Sequence, residues 1–359
     1  MRRSFLALLA ATGASSLLAP SWSVAAAVLT RSHFDVLMRP ALKSPKAGGA
    51  AMLAVARAGK RLVAAGERGI VLLSDDDGGS WRQADVPISV SLTAIHFVDD
   101  QKGWAVGHLG VVLHTENGGE QWTLQLDGLR AASIVLDAAS RAEANSSSKS
   151  LAAAQALVDD GPDKPFLDVF FENARLGYVV GAYGLALRTE DGGQTWQSWV
   201  THLDNPKGLH LYAIRSAGDD LFIAGEQGLL LKSSDQGRSF ENLPSPSKGS
   251  FFGIVVDRRG QLLLYGLRGR AFHSADAGRT WNEAETGTSA SLSAGALLDD
   301  GAIILGSQAS ELLVSRDGGN GFRPLPAGTG LPATALMPTA KGRLVMASLR
   351  GVRTIAMPS

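Results

Sequence analysis

The 359-residue sequence predicts an all-β protein, a seven-bladed β-propeller with acidic hairpin turns and a short helical insertion between blades two and three. Two observations lead to this prediction. A polar turn that ends in an aromatic residue recurs along the chain, and short apolar runs separate its copies. The aromatic residues, spaced by 41, 74, 44, 41 and 41 positions, are Trp81, Trp122, Trp196, Phe240, Trp281 and Phe322. A period of about 40 residues is typical of propeller blades.

Each period contains runs that predict the four strands of one blade. In the second period LTAIHF, GWAVG and GVVLHT precede the turn TENGGEQW and the run that carries its aromatic residue. These runs are too short and too rich in turn residues for paired helices. Residues 28–359 are therefore predicted to form a single propeller domain.

The acidic turn predicts a locked hairpin between the third and fourth strands of a blade. A carboxylate or amide can accept hydrogen bonds from backbone N–H groups two residues on, and the glycine that follows tolerates positive φ. The aromatic ring is expected to pack against a neighbouring blade. The residues at the acidic position are predicted to be structural, because each turn offers fewer oxygens than calcium requires. They are Asp76, Asn117, Asp191, Asp235, Asp276 and Asp317.

A second marker precedes each acidic turn and predicts the number of blades. It reads GERG, GHLG, GAYG, GEQG, GLRG and SQAS, and SLRG at 348 follows the last acidic turn. Seven markers predict seven blades, with six or eight as alternatives. Since the chain ends at Ser359, the last blade lacks an outer strand, and HFDVLMR at 33–39 is predicted to supply it. Such closure would remove exposed sheet edges.

An alanine- and leucine-rich stretch at about 128–163 accounts for the longest step of the period. Apolar residues at helical spacing and the interruption NSSSK predict two short helices. This connection should lie on the same face as the GxxG turns. A tolerated surface excursion without a binding role is the alternative interpretation.

The first residues predict a signal peptide over residues 1–27. MRR is followed by the apolar run FLALLAATGASSLLA and by SVAAA, which offers small residues for cleavage. Arg2, Arg3, Phe5 and Leu6 fit a twin-arginine signal as well as an ordinary leader. The protein is expected to be periplasmic or otherwise exported, with an uncleaved anchor as the alternative.

Charge and composition argue against several classes of partner. The 34 basic and 34 acidic residues balance, whereas nucleic-acid binding usually needs a basic surface. The absence of cysteine excludes disulfides and thiolate metal sites within these residues. The seven histidines form no HxH or HxxxH pair. We therefore expect no metal, no cofactor, no nucleic acid and no small-molecule substrate, and we expect a monomer.

The acidic turns match the Asp-box, or BNR repeat. Together with the GxxG turns, the helical insertion and the run DNPKGLHLYAI, they make residues 31–357 resemble the photosystem II stability/assembly factor family. The resemblance is closer to the branch of that family in non-photosynthetic bacteria. Nothing in the sequence indicates photosynthesis, so the client of the photosynthetic members is not carried over.

The resemblance implies a non-enzymatic factor that holds a membrane-protein client during insertion or assembly. In photosynthetic members that client is a reaction-centre subunit, held partly through an arginine-rich surface. In the bacterial branch the resemblance implies work beside exporters of the resistance–nodulation–division type. The expected partner is accordingly a membrane protein or a subunit of a membrane complex.

A sialidase-like glycosidase is the alternative function, because such enzymes share the Asp-box propeller. That chemistry needs an arginine triad, a tyrosine nucleophile with a glutamate partner, and an aspartate. Tyr178 and Tyr265 lie in apolar runs and are predicted to be core residues, whereas Tyr183 and Tyr212 could face a binding surface. The expected early FRIP-like signature is missing, since FRPLP at 322 follows the last acidic turn.

The residues inside the GxxG turns are predicted to form the client-binding surface, near the mouth of the central channel. Their arginines fall on blades one, five and seven and would form one basic arc, in which Glu67 would partly neutralise Arg68. Simple solvation of surface arginines is the alternative. The predicted partner-binding residues are Arg68, His108, Tyr183, Gln227, Arg268 and Arg350.

Overall fold

A computed structural model describes residues 35–142, 148–326 and 330–357. Seven antiparallel sheets surround a central channel that is lined by the first strand of every sheet. Each first strand contacts the first strands of the two neighbouring sheets, and the first sheet contacts the last. The prediction of seven blades is confirmed. The predicted signal peptide lies outside the described residues.

The strands are numbered in chain order, and every blade runs from the channel outwards. Blade 1 contains β1 (Met52–Ala58), β2 (Arg61–Gly66), β3 (Val71–Ser74) and β4 (Arg82–Gln83), and blade 2 contains β5 (Leu92–Phe97), β6 (Gly103–Gly107), β7 (Val112–Thr115) and β8 (Thr123–Leu126). Blade 3 contains β9 (Phe166–Phe171), β10 (Gly177–Gly181), β11 (Ala186–Thr189) and β12 (Gln197–Ser198), and blade 4 contains β13 (Leu211–Ala217), β14 (Asp220–Gly225), β15 (Leu230–Ser233) and β16 (Glu241–Asn242). Blade 5 contains β17 (Phe251–Val256), β18 (Leu262–Gly266), β19 (Ala271–Ser274) and β20 (Asn282–Glu283), and blade 6 contains β21 (Leu292–Leu297), β22 (Ile303–Ser307), β23 (Leu312–Ser315) and β24 (Arg323–Pro324). Blade 7 has three strands, β25 (Ala335–Pro338), β26 (Arg343–Ser348) and β27 (Gly351–Ala356).

The insertion between blades 2 and 3 forms two helices, α1 (Gly128–Ala142) and α2 (Ser148–Asp159), as predicted. Asp127 begins α1, because its Oδ1 accepts the Arg130 N–H at 3.0 Å. Gly128 is required there, since a Cβ would lie 2.6 Å from the Pro162 carbonyl oxygen and 2.8 Å from that of Leu109. Neither helix in the described part of the chain has the length and apolar character needed to cross a bilayer.

Every Asp-box aromatic residue packs against the preceding blade, which confirms the expected role of these rings. Trp122 of blade 2 is buried among residues of blade 1, including Val63, Leu73 and Ala84. Trp81 of blade 1 packs against blade 7 and so continues the pattern around the ring. The remaining four show the same placement and are Trp196, Phe240, Trp281 and Phe322.

The prediction that residues 33–39 supply the outer strand of blade 7 is wrong for the residues described. Asp35–Leu37 form a 3-10 turn, and the last sheet has three strands. Leu37 is buried against the connection between blades 1 and 2, where the Val36 carbonyl accepts the Ser89 N–H at 2.8 Å. The segment cannot pair with blade 7 while its backbone is engaged there. His33 and Phe34 lie outside the described residues.

The ring instead closes through side chains that link blades 7 and 1. The Thr334 hydroxyl donates to the Met52 carbonyl at 2.7 Å, and the Thr354 hydroxyl donates to the Gly78 carbonyl at 2.7 Å. Asp77 Oδ1 accepts the Ala340 N–H at 2.9 Å. The contact of Thr354 with the Asp-box of blade 1 lets a three-stranded blade complete the ring.

Candidate functional site: the turn face

Antiparallel pairing divides the connections of every blade between two faces of the ring. We call turn face the side that carries the turns between second and third strands and the connections between blades. The turns span 66–69, 107–110, 181–184, 225–228, 266–269, 307–310 and 348–351. We call box face the opposite side, which carries the six Asp-boxes and the loops between first and second strands. The predicted partner-binding residues all lie on the turn face.

Five of the seven turns share one strained backbone conformation. The second inner residue is left-handed, with φ of 54° at Arg68, 54° at Leu109, 56° at Tyr183, 53° at Gln227 and 60° at Arg268. Non-glycine residues adopt this conformation uncommonly. In blade 2 the equivalent residue is therefore Leu109, one position after the predicted His108. In the turns of blades 6 and 7 the positive φ falls instead on the last residue, Ser310 or Gly351.

In four of these five turns the left-handed residue holds the turn against the next blade. Its N–H donates to a side chain that directly precedes the next inner strand, at 3.3 Å in three pairs: Arg68 to Ser91, Gln227 to Ser250, and Arg268 to Ser291. In blade 3 the acceptor is a ring nitrogen, His210 Nδ1, at 2.8 Å from the Tyr183 nitrogen. The strained turns are thus braced by neighbouring blades, so their tips present side chains in fixed positions.

The three arginines of the predicted arc are exposed at the tips of these turns. The guanidinium groups of Arg68, Arg268 and Arg350 make no ion pair with any residue that the structure describes. Glu67 makes no ion pair with Arg68 in the described structure, and its Oε1 accepts the Ala51 N–H at 3.0 Å. Blades 1 and 7 are neighbours, and blade 5 is separated from blade 7 by a turn without charge at Gln308 and Ala309.

An aromatic and basic cluster lies between the turn of blade 3 and the channel mouth. Tyr183 is 63% exposed, and Lys164 Nζ lies 5.2 Å from the centroid of its ring. The His210 ring packs edge-on against Tyr183 at 4.9 Å. Tyr212 continues the series towards Phe252, at 5.5 Å between ring centroids. Burial alone would lower the pKa of Lys164, but its ion pairs with the aspartates beside it raise that pKa.

Sequence reasoning missed Lys164, His210 and Phe252 as members of this cluster. A signal for His210 was present, because HLYAI stands where blades 2, 5 and 6 read SLTAI, SFFGI and SLSAG. Histidine therefore replaces the serine that braces the turn in those blades. Lys164 gives no such signal, since it is brought to Tyr183 by the end of the helical insertion.

The central channel, about 630 Å³ in volume, contains one charged pair. Arg215 Nη1 donates to Asp168 Oδ2 at 2.5 Å, and Asp168 also accepts the Ile214 N–H at 2.9 Å. Asp168 is buried, whereas 41% of the Arg215 side chain remains accessible inside the channel. Burial alone would lower the pKa of Arg215, but the Asp168 carboxylate raises it.

Two further channel residues, His96 and Tyr265, stay neutral near pH 7. Burial, with the nearby charge of Arg215, lowers the pKa of His96 to about 4. Burial raises the pKa of Tyr265 to about 12. Tyr265 is therefore not available as a phenolate near pH 7.

The described residues do not bring together the arginine triad, the accessible tyrosine–glutamate pair and the aspartate that a sialidase-like mechanism needs. Tyr178 donates to Glu172 Oε1 at 2.8 Å, which is the expected type of pair. Tyr178 is however fully buried and stacked on Trp199 at 4.6 Å, and burial raises its pKa far above the usual range. The channel lining includes two arginines, Arg57 and Arg215, rather than three. Within the described ranges no three histidine or acidic side chains lie close enough to hold a metal.

The Asp-boxes use their acidic residue to hold the hairpin. In blade 4, Asp235 Oδ1 accepts the Ser233 hydroxyl at 2.7 Å and the Ser239 N–H at 2.9 Å, while Oδ2 accepts the Ser239 hydroxyl at 2.7 Å. These bonds lower the pKa of Asp235 to about 2, and equivalent bonds lower that of Asp276 to about 2. The equivalent residues accept the same kinds of bond and are Asp76, Asn117, Asp191 and Asp317.

Replacing Asp191 by alanine is expected to lower the free energy of unfolding by about 1 kcal/mol at neutral pH, as for other lost turn caps. Burial alone would raise the pKa of Asp191, but hydrogen bonds from Thr195 and Thr189 lower it in the folded state, so its contribution is complete above the unfolded pKa, about 4. The contribution is lost as pH falls through the folded pKa. Denaturant unfolding at several pH values measures both effects, and a difference that persists unchanged at pH 2 would contradict this account.

Comparison of the sequence with known proteins shows which family it resembles. Residues 148–304, from α2 to β22, match the family model described as photosynthesis system II assembly factor YCF48, which is less than half of the chain. The photosystem II assembly lipoprotein Ycf48 of Synechococcus sp. (strain CC9902) is 29% identical over 122 residues. The chain is a β-propeller that is similar, over this part, to photosystem II assembly factors. The resemblance predicted from its motifs is confirmed.

These matches have limited coverage or low sequence identity. The match to the curated relative spans 33% of this chain and 37% of that protein. The solved structure described as YCF48 bound to D1 peptide superposes with a TM-score of 0.64 at 15% identity, over 89% of this chain and 96% of that one. The GH74 enzyme of Niastella koreensis superposes with a TM-score of 0.60 at 13% identity, over 86% of this chain and 52% of that enzyme. At these identities both structures show the fold alone.

Proposed function

We propose that this protein is an exported, non-enzymatic scaffold that binds a membrane protein, or a subunit of a membrane complex, on its turn face. The observation that supports the proposal is a set of exposed side chains on one face: three arginines without an ion pair among the described residues, two of them on turns braced by the next blade, and the ring of Tyr183. A rigid surface with unpaired donors suits a client segment that brings acidic groups. The family relationship supports an assembly role, since one solved relative is bound to a D1 peptide.

The client that we propose is a component of an exporter of the resistance–nodulation–division type, which the resemblance to the non-photosynthetic branch implies. The helical insertion would flank the client, because it packs beside the turn of blade 2 on the turn face. A glycosidase is disfavoured, because the channel holds a paired arginine and a neutral histidine and tyrosine. Turnover of sialosides or related glycosides by the purified protein would overturn the scaffold proposal.

Export predicts a shortened mature chain. Cleavage near Ala26 to Val28 removes the apolar run and leaves the described propeller intact. Mass spectrometry of protein isolated from its native cell envelope should show this mature terminus, and an intact Met1 leader would contradict it. Replacing Arg2 and Arg3 by lysine should block export if the twin-arginine route is used, and should leave it unchanged if the general secretory route is used.

Replacing Arg68, Arg268 and Arg350 together by alanine is expected to leave the fold intact, because exposed turn-tip side chains contribute little to stability. Recovery of the membrane partner from detergent-solubilised envelopes should fall, and the residual binding should depend less on salt. Affinity purification with quantitative mass spectrometry measures the recovery.

The matched control replaces three exposed arginines of the box face, Arg238, Arg258 and Arg279, by alanine. It makes the same change in net charge and should preserve recovery of the partner. If both triple variants are folded and recover the partner as the parent does, the arginines of the turn face are not its docking site.

A further inference from the structure

The large apolar side chains that are exposed in the described part of the chain lie on turn tips, on the insertion between blades 2 and 3 or on the segment before β1, and none lies in an Asp-box or in a loop between first and second strands. Leu267 and Leu349 occupy the tips of the turns in blades 5 and 7, and Tyr183 occupies that of blade 3. The complete set is Met38, Leu42, Leu129, Val158, Tyr183, Leu267 and Leu349, with exposed fractions from 36% to 82%. Isolated exposed apolar residues are ordinary, but their restriction to one face of a ring is not.

The other four exposed apolar residues, Met38, Leu42, Leu129 and Val158, lie outside the turns. Met38 follows the turn that bonds to Ser89, in the connection between blades 1 and 2. The carbonyl of Leu42 accepts the side-chain amide of Gln83 at 3.0 Å, at the end of β4 that leads into that connection. Leu129 and Val158 belong to the helical insertion. The box face, in contrast, exposes no large apolar side chain among its described residues.

These side chains are spread around the ring and do not line one groove. They occur on the turns of blades 3, 5 and 7, on the segment before β1 and on the insertion between blades 2 and 3. In two turns an exposed leucine directly precedes an unpaired arginine, as Leu267–Arg268 and Leu349–Arg350. A peptide segment would need adjoining apolar sites, whereas separate apolar tips on one face fit an extended apolar surface.

We infer that the turn face docks on the surface of a lipid bilayer that contains anionic phospholipids. The leucine and methionine side chains would enter the boundary between headgroups and acyl chains, and the arginines beside them would contact lipid phosphates. Tyr183, with Lys164 over its ring, has the aromatic body and polar end that favour this depth. The box face, with its acidic turns, would point away from the membrane.

The test uses purified mature protein and vesicles without any client, so it does not depend on the proposed function. Co-sedimentation is measured with vesicles of phosphatidylethanolamine and phosphatidylglycerol, and with vesicles of phosphatidylcholine alone. Binding should favour the anionic vesicles. Replacing Leu129, Leu267 and Leu349 by serine should weaken it about tenfold or more, and each of the three arginines removed should weaken it about fivefold.

The control replaces the same leucines by methionine, which keeps an apolar side chain and should preserve vesicle binding. Circular dichroism and thermal unfolding establish that each variant is folded. The inference is overturned if the folded parent does not bind anionic vesicles, or if the serine variant binds them as well as the parent does. Loss of the membrane partner by the serine variant, without vesicle binding by the parent, would identify the apolar tips as a protein-docking surface instead.

Discussion

Replacing Trp122 by alanine is expected to lower the free energy of unfolding by about 3–5 kcal/mol, the range for large aromatic residues removed from a core. Trp122 is only 4% exposed and fills the space between blades 1 and 2. Its ring also contacts Phe97 edge-on at 6.0 Å, and its Nε1 donates to the Gly119 carbonyl at 2.9 Å. The change removes both the apolar contact between blades and a bond that holds the Asp-box.

Trp281 provides the matched control, because it occupies the same position in the repeat of blade 5. It packs against blade 4 but is only partly buried, and its Nε1 has no hydrogen-bond partner among the described residues. Trp281→Ala should therefore lower the free energy of unfolding by clearly less than Trp122→Ala does. Denaturant unfolding of both variants measures the difference. Equal losses of unfolding free energy would mean that the rings stabilise their own hairpins rather than the contact between blades.

The second large effect is expected at the ion pair in the central channel. Asp168→Ala leaves Arg215 without its counter-ion in the channel formed by the first strands. Removing one member of a buried pair costs about 3–5 kcal/mol. The lower end of that range is expected here, because 41% of the Arg215 side chain remains accessible in the channel.

The double variant Asp168→Ala with Arg215→Met separates the pair from other contacts. Once both charges are gone, no unpaired charge remains, so the double variant should be more stable than Asp168→Ala alone. Unfolding free energies of the parent, the two single variants and the double variant form the required cycle. If the losses of unfolding free energy in the two single variants add up to the loss in the double variant, the two side chains do not stabilise each other.

The number of blades could be predicted because every blade carries its own local signals. An acidic residue, a glycine and an aromatic ring define one hairpin each, as Asp276, Gly278 and Trp281 do in blade 5. Each signal lies within a few residues of the turn that it forms. A period near 40 then follows from counting these hairpins.

Features that depend on contacts between distant segments could not be predicted in the same way. Whether residues 33–39 pair with blade 7 or with the connection after blade 1 depends on the burial of Leu37, which the sequence pattern does not reveal. The pair of Asp168 and Arg215 joins different blades. Positive φ in the blade 2 turn falls on Leu109, and GHLG alone does not show which inner residue carries it.

The most direct test of the central claim is photo-crosslinking in intact cells. A photoreactive amino acid is placed at Arg268 on the turn face and, in a second variant, at Arg238 on the box face, both being exposed positions at turns. The account predicts that position 268 gives adducts with a membrane protein and that position 238 does not. Adducts with a membrane protein from position 238, with none from position 268, would contradict it.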